Sequence, residues 1–314
     1  MTNSMVRRLA IVRRWTLVLA AALMVPIATL GFASSALAVE HHPKGDYASF
    51  ADCPLSNSAT DFCLFATTEK GKFIVGKKTV PLLNTVTLQG GFHQNENKET
   101  ETITLEFIGA EDGKTLSKTP QNVPGGLAGL INCEEIKGEG FFEKLAREAC
   151  KAVFENKLTG VTATTELAAP ASSIGLSVQN LIEAEGTALS LPVKVKLENP
   201  LLGSSCYVGS NAHPIVINFT TGTTNPPKPN TPITGKVGTL ELLHGGLLTI
   251  VKENALVNNS FGAPRSEGCG GFFSFLIGPI IDAQLGLPAA EGANTAILEG
   301  TLKDAKATAV KESE

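Results

Sequence analysis

Six cysteines, Cys53, Cys63, Cys133, Cys150, Cys206 and Cys269, constrain this chain more than any other feature. All lie beyond a leader-like first segment, and an even count in an exported chain reads as a disulfide framework. Zinc is the sharper reading, but zinc sites use close Cys or Cys/His pairs, and the nearest cysteines here are ten apart. Of the pairings open to six cysteines, we expect the sequential one: Cys53 with Cys63, Cys133 with Cys150, Cys206 with Cys269. The first pair spans Pro54, Ser56 and Asn57, which fold back readily. The second ties a helix to the loop before it. The third encloses a proline-rich stretch and so makes that stretch internal to one unit.

The oxidising compartment that disulfides need is consistent with the first 38 residues, which read as a signal peptide. Arg7, Arg8, Arg13 and Arg14 precede an apolar run from Trp15 to Phe32. Ala36-Leu37-Ala38 then matches a small-x-small cleavage pattern, giving Val39 as the mature start. An uncleaved anchor is the competing reading, and Arg13-Arg14 raises twin-arginine export beside the general route. Loss of the four arginines takes the formal charge from -4 to -8, which argues against nucleic acid or anionic lipid as a general partner. No later run is long enough to anchor the mature chain: the stretch from Gly270 to Ile281 is short and interrupted by Gly278 and Pro279. The expected location is therefore secreted or loosely wall-associated.

The mature chain is dense in strand signals. Lys72 to Val75 and Thr85 to Leu88 are short β-branched runs between glycines. Glu101 to Phe107 alternates, and Glu111-Asp112-Gly113 after it reads as a hairpin turn to another strand. Further strands are expected at Val161 to Leu167, Leu189 to Leu197, Ile215 to Thr220, Leu240 to Val251 with a turn at Gly245-Gly246, and Thr295 to Leu302. One helix is expected near residues 140–157. Phe141, Phe142, Leu145, Ala149 and Val153 would form its core-facing stripe, and Glu143 and Arg147 an exposed ion pair. A helical turn is placed around Pro279 to Leu285. The expected fold is mainly β, with sandwich-like antiparallel sheets and one inserted helix. Residues 39–302 form a single β-rich domain with a possible sub-boundary at 223–232, and 303–314 a mobile polar tail.

Catalytic patterns are scarce. The mature chain has no Gly-x-Ser-x-Gly elbow, and Ser210 near His213 is read as a loop rather than a pair. It has no Gly-x-Gly-x-x-Gly, phosphate loop, His-Glu-x-x-His or EF-hand loop. Convergence of His93, His213 and His244 on a metal is an outside reading. Carboxylate pairs for glycoside cleavage are not excluded, but the sole tryptophan, Trp15, leaves with the leader, and only Tyr47 and Tyr207 remain. No cofactor is called for.

Several segments carry a resemblance: Leu116-Ser117-Lys118-Thr119-Pro120, Val123-Pro124-Gly125-Gly126-Leu127, Leu191-Pro192-Val193-Lys194, Cys206-Tyr207-Val208-Gly209-Ser210, Thr220-Thr221-Gly222-Thr223-Thr224 and Gly268-Cys269-Gly270. With these, most of the mature chain resembles a group of uncharacterised secreted proteins from high-GC Gram-positive bacteria. The resemblance implies export and transfers no catalytic residue.

The expected function is that of an exported, non-enzymatic structural or binding protein of the cell surface or extracellular space. The runner-up is a binder of an apolar small molecule or lipid through Phe272, Phe273, Phe275, Leu276 and Ile277, a cluster otherwise read as core. A secreted hydrolase comes third. Cleavage after Ala38 would also give the terminus Val39-Glu40-His41. Its amine, two main-chain nitrogens and the His41 imidazole form a square-planar set for Cu(II) or Ni(II), with His42 an outer contact.

Overall fold

The computed structural model describes residues 41–97 and 102–314, and these fold into two seven-stranded antiparallel sheets laid face to face. In chain order the strands are β1 (Phe62–Val75), β2 (Lys78–Pro81), β3 (Val86–Asn97), β4 (Thr102–Gly109), β5 (Gln121–Asn122), β6 (Thr162–Leu167) and β7 (Gly175–Leu176). Then follow β8 (Leu189–Glu198), β9 (Tyr207–Val208), β10 (Ile215–Phe219), β11 (Thr239–Leu243), β12 (Leu248–Asn258), β13 (Ser266–Glu267) and β14 (Thr295–Lys306). The helices are α1 (Phe141–Glu155), α2 (Val178–Glu183), α3 (Ser274–Leu285) and α4 (Ala307–Glu312). The mainly β sandwich expected from the sequence is what forms.

The first sheet runs β11-β12-β14-β1-β3-β4, with β2 also on β1. Its centre joins the first strand to the last: β1 pairs antiparallel with β14 from Phe62 opposite Lys306 to Ile74 opposite Thr295. A register shift between Thr68 and Lys70 bends this pair, and the bend needs glycine. At Gly71, φ is +132° and a β-carbon would lie 2.0 Å from the Ile297 carbonyl oxygen. At Gly300 it would lie 1.7 Å from that of Thr67.

Side chains of one parity on β1 and β14 face the second sheet, which runs β13-β9-β8-β6-β5 with β10 and β7 also on β8. Strand β10 shows the pattern plainly. Ile215, Ile217 and Phe219 are buried, whereas Val216 and Asn218 are exposed. On β8, Leu189, Leu191, Val193 and Leu197 enter the main core, and Lys194 and Lys196 stay outside with Glu166 and Glu198. The outer face of the first sheet has its own small core. Cys63, Leu248, Ile250 and Ala305 there meet Phe50, Cys53, Ala307 and Val310.

Four expectations are corrected. The tail after Lys303 is folded: it completes β14 and forms α4, because Ala307, Ala309 and Val310 are apolar and buried. No hairpin turns at Glu111-Asp112-Gly113. Strand β4 pairs back onto β3, and the chain after Gly113 runs along the start of β3 instead, with Gln89 N–H donating to Thr115 O and Ser117 N–H to Thr87 O. Helix α1 buries Ala146 and Cys150, and of its expected inner stripe Ala149 and Val153 pack on the core while Phe141, Phe142 and Leu145 are exposed. Arg147 does not pair with Glu143. Its guanidinium caps the main-chain carbonyls of Ile136 and Gly138.

The proline-rich stretch at 223–232 is laced to its surroundings. Thr224 bonds Ile233, and the Asn230 amide donates to the carbonyls of Asn259 and Asn294 at 2.9 and 2.8 Å. The disulfides are Cys53–Cys63, Cys133–Cys150 and Cys206–Cys269, the sequential map. They suit an oxidising compartment. Among the described residues no helix is long and apolar enough to cross a membrane.

Loop length ranks these bridges. Replacing Cys206 and Cys269 together by Ser should lower unfolding free energy by about 4 kcal/mol, and replacing Cys53 and Cys63 by about 3, since the former closes the longer loop. Denaturant unfolding of the two double variants under identical conditions checks the order.

Candidate ligand-binding cavity

The sandwich is not filled. Between the sheets lies a cavity of about 80 Å³ whose walls include Leu64, Ala66, Leu88, Leu191, Ile217 and Leu302. A second of about 70 Å³ lies beside it, walled by Val75, Val80, Val123, Ala163, Val195 and Leu285 among others. The two share Phe73, Leu82, Thr165, Val193 and Ile217. A third, of about 30 Å³, adjoins the first through Leu64, Leu176, Leu181 and Leu302. The three form a file along the apolar interior. Its α2 end carries the exposed side chains Val178, Ile182 and Leu240.

Strand parity explains the walls. Ala66, Leu302 and Asp304 point inward because Ala66 pairs with Leu302 and Leu64 with Asp304 on facing registers of β1 and β14. Small residues at inward positions, Ala66 on β1 and Ala163 on β6, leave space that a Leu would take. The walls are aliphatic for the most part. Each end of the file nevertheless has one ionisable group: Asp304 at the third cavity and Lys78 at the second.

Burial pushes the Asp304 carboxyl up to about 6, against a smaller opposing hydrogen bond from Thr249. Lys78 lies on the short strand β2, and its ammonium donates to the Pro124 carbonyl at 3.3 Å. Gln121, the other polar side chain at that end, is turned to the neighbouring main chain. Its carbonyl accepts from Leu83 N–H and Asn84 N–H, and its amide donates to Asn84 O.

The residues singled out in the sequence lie elsewhere. Phe272 and Phe275 are exposed, not core and not cavity wall, while Phe273 and Leu276 pack on the core and Ile277 is buried. Phe272 (73 % exposed) stands against Phe142 at 5.7 Å between ring centroids, with Phe275 6.5 Å from the same ring. Phe141 (74 % exposed) completes an aromatic patch at the N-terminal ends of α1 and α3.

Ser210 and His213 form no catalytic pair. The serine hydroxyl contacts Glu267 at 3.3 Å and accepts from the His213 backbone, and the imidazole faces Glu267 at 3.5 Å. His93 and His244 sit apart, on Asp61 (2.7 Å) and Asp46 (2.8 Å). The Asp61 carboxyl is held below its ordinary value, chiefly by the Gln94 backbone N–H. Among the described residues no group of three His, Cys, Asp or Glu is arranged to hold a metal. Val39 lies outside the described residues. His41 is buried, with Nδ1 on Glu314 at 2.6 Å, and a terminal copper chelate using that nitrogen would have to break this bond.

Sequence reasoning missed Asp304, Lys78 and the cavities. The signal for Asp304 was present: extending the inward alternation Ala296, Leu298, Gly300, Leu302 by one step reaches it. In comparisons with known proteins, no family model, curated protein or solved structure matches the chain.

Asp304 makes stability depend on pH. Below its ordinary value of 3.8 the carboxyl is neutral in both states. As pH rises from 3.8 to about 6 the unfolded chain loses the proton first, so stability falls across that window and stays lower above it. Asp304→Asn should therefore be more stable than the wild type above pH 6, by about 1 to 3 kcal/mol, with the difference vanishing near pH 4. Thermal unfolding of both proteins from pH 3.5 to 8 reads this directly.

Proposed function

We propose that this protein is an exported, non-enzymatic binding protein that holds an apolar small molecule between its two sheets. The observation that carries this reading is the pair of adjoining cavities, of about 80 and 70 Å³, with apolar walls. Voids of this kind are dry and costly. At about 24 cal/mol per Å³ each forfeits roughly 2 kcal/mol, a sizeable part of a domain's net stability. A single Ala→Leu change on each of two strands would fill them, and the native residues leave them open. The leader-like segment and the resemblance noted above support a reading outside the cell or on its surface, and the three disulfides suit the oxidising compartment it needs.

A second reading rests on the aromatic patch of Phe141, Phe142, Phe272 and Phe275. Contiguous exposed apolar side chains on a soluble domain mark contact surfaces, so the patch favours a docking role at the cell surface or in the extracellular space. Retention of wild type and a Phe142→Ser, Phe272→Ser variant on intact cells separates this role from cavity binding.

The cavity reading is tested with N-phenyl-1-naphthylamine, a neutral fluorescent probe. The wild type should bind it saturably and gain thermal stability as RT ln(1 + [L]/Kd). The double variant Ala66→Leu, Ala163→Leu should be at least as stable as the wild type yet lose the probe. Absence of saturable binding to the wild type overturns the reading.

A further inference from the structure

We infer that Lys78 is the head-group residue of this cavity system and that the ligand is a long-chain carboxylate. The inference rests on the cavity reading above and narrows it from any apolar molecule to one with a single anionic end. Among the residues lining the two adjoining inter-sheet cavities of about 80 and 70 Å³, Lys78 carries the only charge. A lysine stem packs along apolar surface while its ammonium seeks polar partners at the edge, which suits a group at the end of a hydrocarbon-lined tract.

That ammonium is under-used. It has three donors, the hydrogen bond it makes is the one to the Pro124 carbonyl at 3.3 Å, and among the described residues no carboxylate pairs with it. Lys194, Lys196, Lys236 and Lys252 each stand beside a glutamate within 4 Å, while Lys77 next to Lys78 also donates to a main-chain carbonyl, that of Ala283, but lines neither cavity. A cation at an apolar cavity, with donors to spare and no acid beside it, is arranged to receive an acid from outside.

Charge also sets the direction. The file of cavities has Lys78 at one end and the Asp304 carboxyl at the other. A carboxylate head is attracted to the first and repelled by the second, so the tail runs from the β2 end toward α2. Wall chemistry sets the shape of that tail. Small adjoining cavities in a file, bounded mainly by Leu, Val and Ile, fit a flexible methylene chain better than a fused ring system.

The test compares three ligands with the same tail, myristate, 1-tetradecanol and tetradecyltrimethylammonium, each displacing N-phenyl-1-naphthylamine from the mature protein below its aggregation concentration. We expect myristate to bind at least ~10-fold more tightly than the alcohol, and the ammonium least tightly, because a charge-assisted hydrogen bond adds to the shared apolar term. The preference should collapse in Lys78→Met and persist in Lys78→Arg. Equal affinity of acid and alcohol for the wild type overturns the inference without needing any variant, and so does an acid preference that survives Lys78→Met. Binding of the alcohol alone keeps the cavity reading and rejects the carboxylate. Failure of all three ligands and of the probe rejects both.

Discussion

The pairing of β1 with β14 is the constraint on which the rest of the structure depends. It joins residues 62–74 to residues 295–306, so the first sheet exists only when its first and last strands meet. Such a contact carries a large loop-closure cost and returns nothing until the flanking strands β12 and β3 dock on either side. Its register then decides everything inward. A one-residue slip of β1 along β14 would turn Leu64 and Ala66 out to the opposite face and bring Cys63 and Phe65 in. The opposite face is not neutral to such a slip, because Cys63 is bonded to Cys53 and Ala305 packs under α4. The Cys53–Cys63 bridge therefore pins register as well as closing a short loop. The bend at Gly71 and Gly300 is the place where the pair absorbs its extra residue.

The elements legible in the sequence are those whose signal is local. Local patterns marked β6, β8 and β10 nearly to the residue and the start of β14 but not its end, and cysteine spacing marked the disulfides. What could not be read is who pairs with whom. The turn residues Glu111-Asp112-Gly113 promised a hairpin, but β4 already has β3 on one edge and the chain leaves it to pass beside the start of β3. The stripe on α1 misled for a related reason. Periodicity states that Phe141, Phe142 and Leu145 share a side with Ala149 and Val153, and it does not state where the core is. The disulfide to Cys133 holds Cys150 and Ala146 inward, which rotates the phenylalanines toward solvent. The cavities are harder still to read. An empty volume depends on facing residues from two sheets at once, and single-strand patterns carry no information about their sum.

The composition has a physical logic once the interior is known. The described residues hold no Trp and only Tyr47 and Tyr207, so the large rings that would fill an inter-sheet gap in one step are scarce. Phenylalanine is available, yet Phe141, Phe142, Phe272 and Phe275 stand outside. Apolar area left in water on the surface and apolar space left empty in the core each lower stability. A chain under selection for stability alone would exchange the two.

Covalent bonds let the molecule carry both. Helix α1 fully buries Ala146 and Cys150, and Ala149, Val153 and Phe154 pack partly buried against the main core, while its first turn stays in solvent. The Cys133–Cys150 bridge adds a covalent anchor. Just before α3, Cys269 is tied to Cys206, and Gly270 beside it holds a left-handed conformation against Ile277, where a β-carbon would come within 2.5 Å of the side chain. One disulfide thus sits beside the end of α3 that exposes Phe272 and Phe275, and a second holds α1 from its C-terminal half. Each is worth roughly 3 to 4 kcal/mol in the chain-entropy account, the scale of the deficit left by the open cavities. The stapling adds to burial at both helices, and this lets the sandwich keep an unfilled interior and an exposed aromatic edge while remaining folded.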